Sequence, residues 1–143
     1  FGLPVLVSTH PRTKVRLATL SQENLDGIVF HEPFGYLDYN KLQANAFCVV
    51  SDSGTISEEA SIIGFPAVSI RDSIERPEAL ETGSTILTGL HATNLIQSVR
   101  LVTQTKVVAD VPQGYEVIDF SDRVLRYLFS TARSHHAWAG IRG

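Results

Sequence analysis

A chain of 143 residues has the length of one domain, is too short for two ordinary ones, and can bury a real core. Hydrophobic residues at 43% and charged residues at 19% exclude a disordered chain and a coiled coil, and a formal net charge of −3 lacks the basic excess of a generic nucleic-acid binder. One cysteine excludes an internal disulfide framework and points to a reducing, cytoplasmic setting, and no apolar run approaches the roughly 18 residues of a membrane span.

Short β-branched runs at 4–8, 27–31, 47–51, 66–70 and 84–88 are predicted strands. They are continuous rather than alternating, as expected of parallel strands covered on both faces, and lie about 20 residues apart, room for a helix and two short loops. The intervening segments 13–22, 36–45, 55–63, 77–81 and 92–103 read as helices. The alternation implies an α/β sheet with right-handed crossovers and helices on both faces. Residues 105–114, with two Val pairs, Pro112 and Gly114, form a connector. A last helix is predicted over 121–136, with Asp119 or Ser121 as its cap and Val124, Leu125, Leu128, Phe129 and Ala132 as an apolar stripe. The tail carries Trp138 and Ile141, which are expected to dock on another surface.

Four strand ends carry the residues with chemical potential. After the third strand, Ser51-Asp52-Ser53-Gly54-Thr55-Ile56-Ser57-Glu58-Glu59-Ala60 turns a buried strand into a helix. Ser53, Gly54 and Thr55 offer hydroxyls and backbone N–H groups at a helix N-terminus, and Gly54 permits close approach of an anion. Glu59, one turn on, could reach ribose hydroxyls; the competing reading is an ordinary cap by Asp52 or Ser53. After the first strand stand His10 and Arg12, the latter suited to a polyanion. After the fourth, Arg71, Asp72, Glu75, Arg76 and Glu78 form a dense charge cluster, with Pro77 suited to a helix start. After the second, Phe34, Tyr36 and Tyr39 could stack on a base or simply anchor their helix. In a parallel sheet all four loops face one edge, where ligands of open α/β sheets bind. No spacing suggests a metal cluster, and no cofactor is implied.

The segments Ser51-Asp52-Ser53-Gly54-Thr55-Ile56-Ser57-Glu58-Glu59-Ala60, Gly64-Phe65-Pro66 and Arg71-Asp72-Ser73-Ile74-Glu75-Arg76-Pro77-Glu78-Ala79 resemble the non-hydrolysing UDP-N-acetylglucosamine 2-epimerases. His10-Pro11-Arg12-Thr13 and Pro33-Phe34-Gly35-Tyr36 fit in the same order. The resemblance covers residues 4–90 well and the rest loosely. It implies the C-terminal half of a GT-B type fold, with Rossmann-like domains flanking a cleft, and a UDP-sugar as substrate. By position, Ser53, Gly54 and Thr55 would hold the diphosphate and Glu59 the ribose. Phe34, Tyr36 and Tyr39 would flank the uracil, His10 would sit near the sugar-nucleotide in the cleft, and Arg71, Glu75 and Arg76 would order the site behind the phosphates. The family eliminates UDP across C1–C2 and adds it back with inverted C2. Glu81-Thr82-Gly83-Ser84 and Thr88-Gly89-Leu90 look more like the branch that makes UDP-N-acetyl-L-fucosamine. Both branches serve bacterial surface polysaccharide synthesis, and members are commonly homodimers.

The chain contains no Met and opens directly on a strand, so it reads as a piece of a longer protein. Residues 1–143 are expected to be a partial UDP-binding domain, inactive alone, that lacks its first strand and the N-terminal domain carrying most proton-transfer carboxylates. Residues 119–143 would pack toward that domain. Two rival readings are a GT-B glycosyltransferase and a non-enzymatic α/β binding module. A receiver domain would need an acidic pair after the first strand, and a flavodoxin a phosphate loop, where this chain has Ser8-Thr9-His10.

Overall fold

The computed structural model describes residues 1–19, 25–76, 78–105 and 110–140. The end of the predicted first helix at 20–22, Pro77, connector residues 106–109 and Ile141 lie outside the described residues. In chain order the elements are β1 (Val5–Ser8), α1 (Pro11–Leu17), β2 (Ile28–His31), α2 (Tyr36–Asn45), β3 (Val49–Ser51), α3 (Ile56–Ile63), β4 (Ala67–Ser69), α4 (Glu78–Glu81), β5 (Thr85–Leu87), α5 (Ala92–Gln104), α6 (Phe120–Thr131) and α7 (His135–Trp138).

Every described strand pairing is parallel, as the continuous apolar runs predict. The pairings form two sheets: β1 with β2, and β3-β4-β5 with β4 central. Register pairs Ser51 with Ser69 and Ser69 with Leu87, so the loops after β3, β4 and β5 leave one edge together. Ser8 and His31 are likewise paired at the end of the smaller sheet.

The core sits around β4. All three of its residues are buried, and both α3 and α5 pack against it. Ile56, Ala60, Phe65 and Ala67 form one cluster with Val49 at its border, and strand alternation turns Val68 to the opposite face. Gly64 ends α3 in the left-handed region at φ 85°, and its N–H donates to the Ala60 carbonyl at 2.9 Å. A side chain there would strain the backbone, and Pro66 prevents the helix from continuing.

Four expectations need correction. Burial on both faces holds for β4 only; Val5, Leu6, Val29 and Phe30 are exposed in this chain, because the described layers fully cover only the central strand of the three-stranded sheet. The stripe Val124, Leu125, Leu128 and Phe129 is also exposed, so its periodicity marks an amphipathic helix whose apolar face is left uncovered by the described residues. The predicted last helix breaks into α6 and α7, and Asp119 stands at the N-cap but spends its carboxylate on Arg123 Nε at 2.8 Å instead of a cap amide. The first helix starts at Pro11 rather than Thr13, because Pro suits the first turn and His10 Nδ1 accepts the Arg12 N–H at 3.2 Å. Among the described residues no helix is long and apolar enough to cross a membrane.

Cys48 is half-buried beside β3, and burial pushes its thiol up to about 11 from an ordinary 9.0. Only the thiolate reacts, so native chain at pH 8 should alkylate about 100-fold more slowly than denatured chain, read by iodoacetamide labelling and mass spectrometry. The native state holds this proton longer than the unfolded state. The contribution to stability is therefore intact below about 9 and lost as pH rises toward about 11.

Candidate functional site

The turn from β3 into α3 is built from side-chain hydroxyls. Ser51 Oγ accepts the Ser53 N–H at 3.0 Å, and Ser53 Oγ accepts the Thr55 N–H at 3.3 Å. Thr55 stands at the N-cap, yet its hydroxyl donates to Glu59 Oε1 at 2.7 Å rather than capping an amide. Its single hydrogen is thereby committed, so across the 3.0 Å contact Ser53 donates to Thr55 Oγ1. Glu59 Oε2 accepts from Gln43 Nε2 at 2.7 Å. The amides of Ile56, Ser57 and Glu58 open the helix and have no intrahelical acceptor, and the helix dipole adds partial positive charge there. Ser53 thus turns the loop and does not cap the helix, which leaves the first-turn donors available.

Two arginines back this turn. Arg76 Nη1 donates to the Gly54 carbonyl at 3.0 Å and pairs with Glu58 Oε1 at 2.6 Å. Arg71 holds Glu75 through two hydrogen bonds of 2.9 and 2.6 Å and keeps that carboxyl below its usual range, chiefly by those bonds. Arg71 also stands close to the turn: a Cβ on Gly54 would lie 3.3 Å from its Nη1. The following turn packs onto the same loop. Gly89 has φ 60°, its N–H donates to the Arg71 carbonyl at 3.2 Å, and a Cβ there would meet Asp72 Oδ1 at 2.6 Å. Just past the connector, Tyr115 donates its hydroxyl to Glu78 at 3.0 Å, which raises the phenol's pKa, and Glu58 Oε1 lies 3.4 Å away.

Tyr39 of α2 is half-buried at this site. Its hydroxyl is pushed above the usual phenol range by burial first, then by Glu59 and Asp52. In the segment before α2 the His31 and Phe34 rings stack at 4.2 Å and 7°.

Of the residues marked in the sequence, the structure gathers Ser53, Gly54, Thr55, Glu59, Tyr39, Arg71 and Arg76, with Glu75 held through Arg71. Among the described residues, no hydrogen bond or ion pair joins His10, Phe34 or Tyr36 to this group, and Tyr36 is largely exposed. An open cavity of about 590 Å³ lies instead at the smaller sheet, lined by Thr9, Lys14, Phe30, His31 and Glu32 among others. The cavity does not include the hydroxyl turn. The turn converges donors and charges, whereas the cavity is a broad surface hollow. Among the described residues no group of three His, Cys, Asp or Glu could hold a metal ion. Sequence reasoning missed Gln43, which lies one helical turn after Tyr39 on α2; a polar residue on the face already carrying Tyr39 was the available signal.

Comparison with known proteins decides the family. The family model for UDP-N-acetylglucosamine 2-epimerase matches residues 2–128. The chain belongs to the UDP-N-acetylglucosamine 2-epimerase family. A solved family member from Rickettsia bellii is 41% identical and superposes with a TM-score of 0.83, over 93% of this chain and 38% of that one. The Methanocaldococcus jannaschii enzyme, solved in complex with UDP-GlcNAc and UDP, is 34% identical with a TM-score of 0.77, over 89% of this chain and 36% of that one. A curated UDP-N-acetylglucosamine 2-epimerase from the same organism is 38% identical over 106 residues, which are 71% of this chain and 29% of the relative. The family fold is α/β, and this chain is a Rossmann-like part of the C-terminal half of a GT-B type architecture. The chain spans less than two-fifths of these relatives.

Proposed function

We propose that this chain is the nucleotide-binding part of a UDP-N-acetylhexosamine 2-epimerase, which inverts C2 by eliminating UDP and adding it back. The observation that carries this reading is the turn at Ser53–Thr55. The first-turn amides of α3 have no intrahelical acceptor there, two arginines stand beside the turn, and a carboxylate is fixed one turn on. Such an arrangement suits a diphosphate followed by a ribose diol. In our reading Ser53, Gly54 and Thr55 hold the diphosphate, Glu59 the ribose, and Phe34, Tyr36 and Tyr39 the uracil side. His10 lies toward the sugar, and Arg71, Glu75 and Arg76 keep the turn in shape.

The chemistry makes two demands. Breaking the C1–O bond leaves negative charge on the departing diphosphate, and preorganised N–H donors stabilise that charge where it develops. A base must also take the C2 proton and return it to the other face. The turn meets the first demand. For the second, we assign the base to an N-terminal domain of the same polypeptide. The sheet arrangement supports such a remainder: β2-β1 and β3-β4-β5 are the order of a doubly wound sheet lacking its first strand, and exposed apolar residues on β1, β2 and α6 offer surface for it.

Titration of the chain with UDP tests the reading. Binding should be saturable, and tighter than for uridine because the diphosphate supplies the charge; no binding at millimolar UDP would overturn it. In deuterated water the chain alone should leave C2 of UDP-GlcNAc and UDP-N-acetyl-L-fucosamine unlabelled, whereas the longer polypeptide should label one of them without an acceptor. That outcome separates an epimerase from a glycosyltransferase. We assign the substrate to the fucosamine branch on Glu81-Thr82-Gly83-Ser84 and Thr88-Gly89-Leu90, the setting to the cytoplasm, the role to surface polysaccharide precursors, and the full-length state to a homodimer.

A further inference from the structure

We propose that Gln43 is a positioning residue that fixes the Glu59 carboxylate for a ribose diol. The inference rests on the reading above, in which Glu59 meets the ribose. Gln43 lies within α2 and is 2% exposed. A carboxylate only accepts, so the 2.7 Å contact requires the amide nitrogen of Gln43 to face Glu59 Oε2. Glu59 Oε1 is held by the Thr55 hydroxyl at 2.7 Å. The two carboxylate oxygens are therefore gripped from two different elements, which fixes the rotation of the carboxylate plane. Each oxygen keeps a lone pair, and Glu59 is only partly buried, so a pair of ligand hydroxyls can still bond it.

Packing alone does not account for a glutamine here. Gln43 Oε1 is buried and has no hydrogen-bond partner, a penalty that an apolar side chain of the same length would avoid. What the amide supplies and Met could not is the donor to Glu59. Tyr39, one turn earlier on α2, has its hydroxyl close enough to Glu59 to feel its charge, so this face of α2 borders the carboxylate at two levels.

The test compares ligands that differ only in the group Glu59 would bind. Affinities of the native chain, Gln43→Met, Gln43→Asn, Glu59→Gln and the double variant Gln43→Met/Glu59→Gln are measured calorimetrically for UDP and 2′,3′-dideoxy-UDP, with melting temperatures alongside. Gln43→Met should weaken UDP about tenfold, leave dideoxy-UDP as in the native chain, and add nothing to Glu59→Gln. Gln43→Asn, too short to reach, should behave the same way and covers the case in which Gln43→Met fails to fold. Equal weakening of both ligands, or unchanged UDP affinity, overturns the positioning role. A native chain that binds both ligands equally overturns it too, by removing the ribose contact while leaving the diphosphate site standing. A native chain that binds neither overturns the parent reading.

Discussion

Replacing Gly54 by Asp should weaken UDP binding about 100-fold while leaving the fold intact, since losing one or two charge-assisted hydrogen bonds costs roughly 2–4 kcal/mol. The backbone at Gly54 is not in the left-handed region, so a side chain imposes no conformational strain. Its Cβ would stand 3.3 Å from Arg71 Nη1, a tight contact with the flexible end of a side chain that can give way. The carboxylate of Asp would then face Arg71, compete with Glu75 for it, and occupy the space through which, in the proposed reading, phosphate oxygens reach the first-turn amides. Gly54→Ala separates bulk from charge: it blocks close approach without adding a negative group, so it should cost less than Asp. Uridine, which lacks the diphosphate, should be affected far less by either change. Calorimetric titration of both ligands against the three proteins gives the answer. A Gly54→Asp chain that binds UDP as the native chain does would remove the phosphate from this turn.

That prediction was available from the sequence in outline, and the structure gives it its shape. The motif Asp52-Ser53-Gly54 before an apolar helix signals an anion site because only local geometry is needed: a strand end, a glycine and free amides. Periodicity likewise locates α2 at its observed bounds, and the strands within one or two residues, because continuous β-branched runs and helical spacing are short-range properties. Long-range features were less legible. Nothing in the residues around Gly54 announces that Arg76 will bond its carbonyl from 22 positions away, or that Gln43 will grip Glu59 from another helix. The charge-rich loop was visible as a cluster, but its division into a bidentate Arg71–Glu75 pair and an Arg76–Glu58–Gly54 bridge depends on how the parallel register stacks the β3 and β4 loops. Burial was misread for a related reason. An apolar run says that a strand favours burial; it does not say whether the covering layer belongs to this chain. β4 finds its cover here, and β1 and β2 do not.

The same contrast sets the largest stability effect. Phe65→Ala should lower the melting temperature by about 10–20 °C, while Phe129→Ala should leave it within about 2 °C. The two rings are the same size, and the sequence gives no reason to rank them. Phe65 is 5% exposed and packs with Ile56, Ala60 and Ala67, whereas Phe129 is 85% exposed on α6. Deleting a buried phenyl group forfeits its transfer energy and leaves a cavity that the surroundings fill only in part, costing about 3–5 kcal/mol. A domain of this size is stable by roughly 5–15 kcal/mol, so the change removes a large share. The loss should also reach the proposed ligand site. Ile56 opens α3 immediately after Thr55, so the first-turn amides are seated on the same cluster that Phe65 completes. A loosened α3 would present those amides less well, and UDP affinity should fall in Phe65→Ala even below its melting temperature. Differential scanning calorimetry with and without UDP separates the two effects. If Phe65→Ala melts like the native chain, the cluster around β4 is not what holds this fold together, and the seat of the hydroxyl turn lies elsewhere.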